Sequence, residues 1–599
     1  SRLPDHWPPT GKWIMSKDVR TAWVDAPVET AGDAVVEAMS AGGIDHLFFT
    51  SGSDIGFYQE AIAKAHAKGH NNPIRLVTVP LEHASLNAAL GYAAVSGKPV
   101  ATAAHVDVGT LHYGGAIHTA WRSALPVVLT AGFPPTAYSG TMKGSRNEGG
   151  HIWLQETFDQ NGILRNYTKW DHRFTAQDNA GLITSRAIQV ARAEPSGPVY
   201  MSIPKEITLM EPDETRFPSA DQLGIPGPTG LAADAALEIA EKLVGAENPV
   251  VIVGGSGRNL EAVPALVELA ELLGLAVVES VARAYLCFPF THPLYQAADL
   301  LDDADAVLIL DADVPWVPET NAPPPEAYVA AIGQDVVKHR FPTYEFMANT
   351  RLNADSQLAA QTIAEAARSL LKDADKKRIN ERSARLGEAA RARKEAAVKE
   401  AQSHAQDTPI DPLWLSYQVG QIVDDNSIVM DDTLGRTRIF DFIPCTLPGS
   451  YIRNPGSSGG WAPGAAFGAK LAAPEKDIIA VTGDGFYMFG TPAPAIWAAA
   501  HHNAPFLMVV YTNRSYTTGT LAITRTYGED SFTAKGGYEG GYFDPPIDFA
   551  KEAEAAGGYG ENVTDPAQVA GALKRGMEQV RAGKPAVISV WQKKLEGED

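Results

Sequence analysis

Short apolar runs alternate along this chain with longer alanine-rich stretches in which apolar and polar positions recur at helical spacing. In the first part of the chain, positions 47–50, 74–79, 100–104, 127–130 and 199–203 read as strands; in the last part, 427–430, 478–482, 507–511 and 586–590 do. Gly and Pro punctuate them. Strands that alternate regularly with helices predict α/β domains with parallel sheets.

The first and last blocks echo each other. Positions 193–203 and 582–590 both close their block with a helix, a Gly/Pro turn and a last buried strand, and 96–103 resembles 474–481. The echo predicts two domains of one fold. Between them Pro249-Val250-Val251-Ile252-Val253-Gly254-Gly255-Ser256-Gly257 opens a third sheet of nucleotide-domain type that includes 306–310. A charged, Ala-rich stretch over 365–404 predicts a solvated connecting helix, and the Pro-rich segment 210–228 a linker. The expected layout is an N-terminal extension (1–25), a first domain (26–208), a linker (209–228), a central domain (229–364), a charged helical linker (365–407) and a last domain (408–599).

Composition narrows the partners. A chain of 599 residues is too long for one core, and 45% apolar with 20% charged residues is ordinary for a globular enzyme. A net charge of −21 disfavours nucleic acid and anionic membranes, which bind clustered Lys and Arg. A phosphorylated small molecule stays compatible, because backbone amides and a metal can supply local positive potential. Cys287 and Cys445 are too few for a disulfide framework or a four-thiolate zinc site. No apolar run approaches the ~20 residues of a membrane span, and the N-terminal segment lacks the apolar core of a signal peptide, so a cytoplasmic location is expected.

The candidate chemistry sits where two predicted strands end. Gly483-Asp484-Gly485 follows the strand at 478–482, and Thr512-Asn513-Arg514-Ser515 follows that at 507–511. If both strands are parallel and end at one sheet edge, the Asp484 carboxylate and the Asn513 amide oxygen meet on one hard cation. Mg²⁺ suits such a site, since it takes few protein oxygens and completes its octahedron with phosphates. Gly483 and Gly485 let the backbone approach a diphosphate, and a helix expected to start near Pro492 would turn its amides toward anionic oxygens.

With these residues the chain resembles the thiamine diphosphate (ThDP) enzymes of the acetolactate synthase-like superfamily, 2-hydroxyacyl-CoA lyases and oxalyl-CoA decarboxylases included. The resemblance covers nearly the whole chain, in the order pyrimidine-binding, central and diphosphate-binding domain. The family motif Gly-Asp-Gly followed by Asn-Asn reads here Gly483-Asp484-Gly485 then Thr512-Asn513, so the first Asn is replaced and the ligand-type Asn is kept. The resemblance implies the Ser515 main-chain carbonyl as a third metal ligand. It also implies that Glu82, in Val79-Pro80-Leu81-Glu82-His83-Ala84, hydrogen-bonds the cofactor's aminopyrimidine, a role that needs burial and a raised pKa. His105 stands in the loop after the next strand and borders the reacting carbon, with a plain strand-capping role as the alternative. Gln155, in Leu154-Gln155-Glu156, lies near cofactor or substrate.

Two departures accompany these matches. Gly459, in Ser458-Gly459-Gly460-Trp461, stands where relatives carry a bulky residue beneath the bent cofactor, and Thr491-Pro492-Ala493-Pro494 replaces a segment that often contains Gln-Glu. Tyr516, Tyr538, Tyr542 and Phe543 are candidates for lining the cofactor or substrate pocket, and the glycines among them read as either a lid or an ordered turn. His83 and His112 read as structural at least as readily as functional, and the adjacent pair His501-His502 cannot share a helix face. Gly254 to Gly257 and Arg258 lack the full dinucleotide fingerprint, which leaves FAD, ADP or coenzyme A in the central domain without support.

The resemblance thus implies a ThDP- and Mg²⁺-dependent lyase, decarboxylase or carboligase acting on a 2-oxo acid or acyloin. The alternatives are a 2-hydroxyacyl-CoA lyase or oxalyl-CoA decarboxylase and, in another class, a ThDP-binding protein with reduced turnover. It further implies a homodimer at minimum, commonly a homotetramer, with ThDP held between the first domain of one subunit and the last domain of another.

Overall fold

The computed structural model describes residues 23–69, 74–146 and 149–594. The extension expected over 1–25 lies outside the described residues apart from its last three positions. Three parallel sheets organise the chain. The first holds β1 (His46–Phe49), β2 (Arg75–Thr78), β3 (Val100–Ala104), β4 (Val127–Phe133), β5 (Asp171–Arg173) and β6 (Val199–Pro204). The central one holds β7 (Pro249–Val253), β8 (Ala276–Glu279), β9 (Ala306–Leu310), β10 (Tyr328–Gly333) and β11 (Thr350–Asn353). The last holds β12 (Ser427–Asp432), β13 (Tyr451–Arg453), β14 (Asp477–Gly483), β15 (Leu507–Thr512), β16 (Tyr559–Val563) and β17 (Ala586–Trp591).

The echo in the sequence is a topological identity. The first sheet runs β2-β1-β3-β4-β6-β5 and the last β13-β12-β14-β15-β17-β16, the same order strand for strand. The central sheet, β8-β7-β9-β10-β11, repeats it up to its edge. Central strands such as β4 and β15 are buried along their whole length, because helices cover both faces of a parallel sheet. The strands without an apolar run in the sequence are mostly short edge strands with polar, half-exposed residues, β5 and β16 among them.

The connecting helix is not one element. Ser356–Leu370 ends before Leu371, and its Ala359, Ala360, Ile363, Ala364 and Ala367 belong to the central core. Asp373–Ser403 follows as a long helix, and it is anchored rather than merely solvated. The buried Arg382 guanidinium donates to the carbonyls of Ala246, Glu247, Leu273 and Gly274, which include those ending the Ala262–Leu273 helix.

The first and last domains meet through the helices Glu82–Ser96 and Ala462–Ala472. Their backbones nearly touch: a Cβ on Gly468 would lie 1.8 Å from the Ala88 carbonyl oxygen, and one on Gly91 would lie 2.0 Å from that of Ala465. One hydrophobic core therefore runs from Phe48 and Leu129 of the first domain to Ile478 and Phe506 of the last. No helix among the described residues is long and apolar enough to cross a membrane.

Candidate functional site

Neighbouring parallel strands bring the two halves of the metal-type motif together. β14 and β15 pair with Gly483 opposite Tyr511, so Asp484 and Asn513 emerge at one sheet edge. Asp484 Oδ2 accepts from the Arg514 backbone N–H at 2.5 Å, and Oδ1 from that of Gly485 at 2.8 Å. Asn513 Oδ1 accepts from the backbone N–H and the hydroxyl of Ser515, both at 3.0 Å. Asp484 is 2% exposed, and burial pushes its carboxyl up to about 7. A buried carboxylate held by backbone N–H groups alone is short of positive charge, and a hard divalent cation among these oxygens supplies it. A Cβ built on Gly483 meets open space, which leaves its backbone accessible to an anion, whereas Gly485 faces the ring of Tyr516.

A helix does start at Pro492, as expected, but another one starts at the motif itself. It is Asp484–Phe489, whose first residue is Asp484 itself; Pro492–His501 is a separate helix entered through Thr491 at φ +48°.

The first domain contributes a carboxyl and imidazole cluster. Glu82 opens the Glu82–Ser96 helix at 5% exposure, and burial raises its pKa. His112 Nδ1 lies 3.3 Å from Glu82 Oε2, so a histidine left open between a structural and a functional reading is the partner of the candidate acid. Gly109 leaves room for that acid, since a Cβ there would lie 2.7 Å from Glu82 Oε1. His105, just beyond β3, donates from Nδ1 to Asp54, and its Nε2 lies 3.0 Å from Gln155 Oε1. The predicted pair His105 and Gln155 is thus in contact. Asp54 was missed, although it sits in Gly52-Ser53-Asp54, just past β1 at the same sheet edge where ligands of such sheets gather.

The first and last domains touch where the helices Glu82–Ser96 and Ala462–Ala472 start. The Gly460 carbonyl accepts from Asn87 Nδ2 at 3.3 Å, His83 Nε2 lies 3.4 Å away, and the Phe489 ring packs edge-on against His83. The Asp432 carboxylate accepts from the N–H groups of Trp461 and Ala462 at 3.0 and 3.2 Å, which fixes the start of the second helix. At Gly459, φ is +69° and a Cβ would come within 2.4 Å of the Phe486 ring. The space in which a larger side chain on Gly459 would stand is filled by Phe486.

Of the remaining candidates, Tyr516 stays beside the motif, against Gly485. Tyr538 is buried, with its hydroxyl 2.7 Å from Thr524 Oγ1, while Tyr516 is half exposed and edge-on to Phe543. His502 bonds the Thr78 carbonyl at 3.0 Å and stacks on Phe467, a domain contact. A cavity of about 330 Å³ beside Gly255, Ser256 and Arg258 is also lined by Asp311, Asp355 and Glu194. Arg258 is engaged there with Glu194 and the Ala124 carbonyl.

Comparison with known proteins bears on the same regions. Residues 29–163 match the N-terminal TPP binding domain of thiamine pyrophosphate enzymes, 237–349 their central domain and 435–590 their C-terminal TPP binding domain. A benzoylformate decarboxylase of Pseudomonas aeruginosa is 26% identical over 534 residues, which make up 85% of this chain and 90% of that protein. A probable acetolactate synthase large subunit of Methanococcus aeolicus is 23% identical over 589 residues, 93% of this chain and 91% of that protein. The solved thiamine diphosphate-dependent 4-hydroxybenzoylformate decarboxylase of Rhodococcus jostii has the same fold, with a TM-score of 0.74 and 22% identity over 95% of this chain and 100% of that one.

Proposed function

Because the chain belongs to the thiamine pyrophosphate-dependent enzymes of the acetolactate synthase-like superfamily, we propose that it is an Mg²⁺-dependent lyase, decarboxylase or carboligase whose substrate is a 2-oxo acid or an acyloin. The observation that carries the reading is the buried Glu82, with its raised pKa, at the helix start that packs beside Gly459 and Gly460. When bound, thiamine diphosphate supplies a nucleophilic carbon and an electron sink for breaking the bond next to a carbonyl carbon. Glu82 would share a proton with the pyrimidine nitrogen of bound cofactor, a task for which a carboxyl pushed up by burial is suited. Asp484, Asn513 and the Ser515 carbonyl would hold Mg²⁺, and the backbone at Gly483 and Gly485 would take the diphosphate. Phe486 supports the cofactor in the space left by Gly459, and Tyr516 borders it.

His105 and Gln155 face the substrate, where His105 holds or delivers a proton at the reacting atoms. A free 2-oxo acid or acyloin is the preferred substrate, with a CoA thioester as the alternative. The likeness to acetolactate synthases and benzoylformate decarboxylase supports a cytoplasmic enzyme that is at least a homodimer, with a homotetramer the larger form. A sedimentation mass of a single chain would exclude that assembly. The direct test is turnover of a panel of aliphatic and aromatic 2-oxo acids with ThDP and Mg²⁺. Release of CO₂ or formation of an acyloin from at least one is expected, and Asp484→Ala abolishes it together with Mg²⁺-dependent cofactor binding. Saturable binding of CoA thioesters with no response to any 2-oxo acid would overturn the substrate class.

A further inference from the structure

His105 is held on both sides, and the holding group on the Nδ1 side is a buried carboxylate that the reading above does not use. Asp54 is 6% exposed; one of its oxygens accepts the hydrogen bond from His105 Nδ1–H, and the other accepts the Val106 backbone N–H at 3.2 Å. The backbone is shaped around this contact. A Cβ on Gly132 would lie 1.5 Å from Asp54 Oδ2, and one on Gly52 would lie 2.5 Å from His105 Cβ. Val106 itself sits at φ +36°, a left-handed conformation that a β-branched residue adopts only when its surroundings impose it. Two glycines and a strained valine thus converge on one carboxylate–imidazole pair.

Resting on the thiamine reading, we infer that Asp54 is a positioning residue for His105: it ties down Nδ1–H and leaves Nε2, beside Gln155, as the ring nitrogen that exchanges a proton with the substrate. The chemistry of the three groups supports this division. An ionised Asp54 only accepts, so Nδ1 keeps its proton in both states of the ring. With Nε2 protonated, the Gln155 amide oxygen accepts from it, as the 3.0 Å contact has it. After Nε2 has given up its proton, rotation of the Gln155 amide offers an N–H in return, so neither state leaves a polar atom stranded. The proton passes from Nε2 to the substrate atom that gains negative charge, none passes to Asp54, and water restores Nε2–H before the next turnover.

The groups facing His105 are Asp54 from the turn after β1, Glu82 from its helix and Gln155 beyond the His151–Leu154 helix. Asp54 is the largest influence raising the pKa of His105, burial opposes it, and Gln155 and Glu82 add to the rise. Loss of the Asp54 charge therefore lowers that pKa. If protonated His105 is the working form, activity falls as pH rises through its pKa, and Asp54→Asn moves this alkaline limb to lower pH.

The experiment measures the pH profiles of kcat and kcat/KM for a 2-oxo acid in the parent, Asp54→Asn, His105→Gln and the double variant, together with C2–H/D exchange of bound ThDP. Asp54→Asn is expected to lower kcat roughly 10- to 100-fold, to change KM by less than about threefold and to shift the alkaline limb downward, with C2 exchange at the parental rate. The double variant should be no slower than His105→Gln, because Asp54 acts only through His105. An unmoved limb, or losses that multiply in the double variant, would overturn the assignment. Absence of C2 exchange in the parent would remove the thiamine reading and this inference with it, an outcome separable from failure of the Asp54 role alone.

Discussion

Asp484 shows how one side chain links the site to the stability of the chain. Its pKa rises from 3.8 to about 7 in the folded protein, because burial disfavours the charged form. A raised folded pKa gives stability that is fully present below the unfolded value and is lost as pH rises through the folded one. Without a cation, the Asp484 contribution should therefore decline between about 4 and 7. Mg²⁺ offsets the penalty of the ionised form, so its stabilising effect grows with pH over that window and levels off above it. Thermal unfolding with and without Mg²⁺ at pH 5 and pH 8 checks this: a larger Tm gain at the higher pH is expected in the parent, and none in Asp484→Ala. Legibility at this scale was uneven. Asp484 and Asn513 were readable because two strand ends fix where both side chains emerge. Asp54 was not, since its meaning depends on a histidine distant in sequence and on the space at Gly132. Phe486 was hidden for a similar reason: the glycine at 459 read as a missing support, and only packing shows which ring takes its volume.

Among the elements, the pair of helices Glu82–Ser96 and Ala462–Ala472 sets the geometry on which the site depends. Small residues at Ala88, Gly91, Ala465 and Gly468 permit backbone contact between them, and the residues at their starts follow into register. Gly468→Ala places a methyl group against the Ala88 carbonyl, and the helices must separate to admit it. A loss of about 1–3 kcal/mol in unfolding free energy is expected from denaturant titration. Gly519→Ala is the control: a Cβ there meets open space inside a helix, so it should be neutral or slightly stabilising. An equal loss in both variants would show that helix contact is not the cause. The sequence marked both helices as apolar and Ala-rich, yet not that they pair, because the Glu82–Ser96 helix, buried from Glu82 to Ala93, has no polar stripe to orient it. The charged connector misled in the opposite sense. Its composition hides the break at 371–372 and the anchoring of Arg382, since a guanidinium that finds four carbonyls is buried despite its charge.

For the whole molecule, two domains of identical strand order face each other through one core. The repeat was legible because buried parallel strands read as apolar runs between Gly and Pro turns. The partly exposed edge strands that complete each sheet carry no such mark. Under the proposed function this duplication divides the labour: one copy would offer the carboxyl and imidazole groups that move protons, the other the hard oxygens and open backbone that would hold a metal and an anion. The central claim is that Glu82 of the first copy activates a thiamine diphosphate anchored by the second. C2–H/D exchange of the bound cofactor, followed by quenched-flow NMR in the presence of Mg²⁺, tests it most directly. The parent should exchange rapidly, and Glu82→Gln should bind the cofactor yet exchange at least about 100-fold more slowly. Exchange at the parental rate in Glu82→Gln would contradict the account.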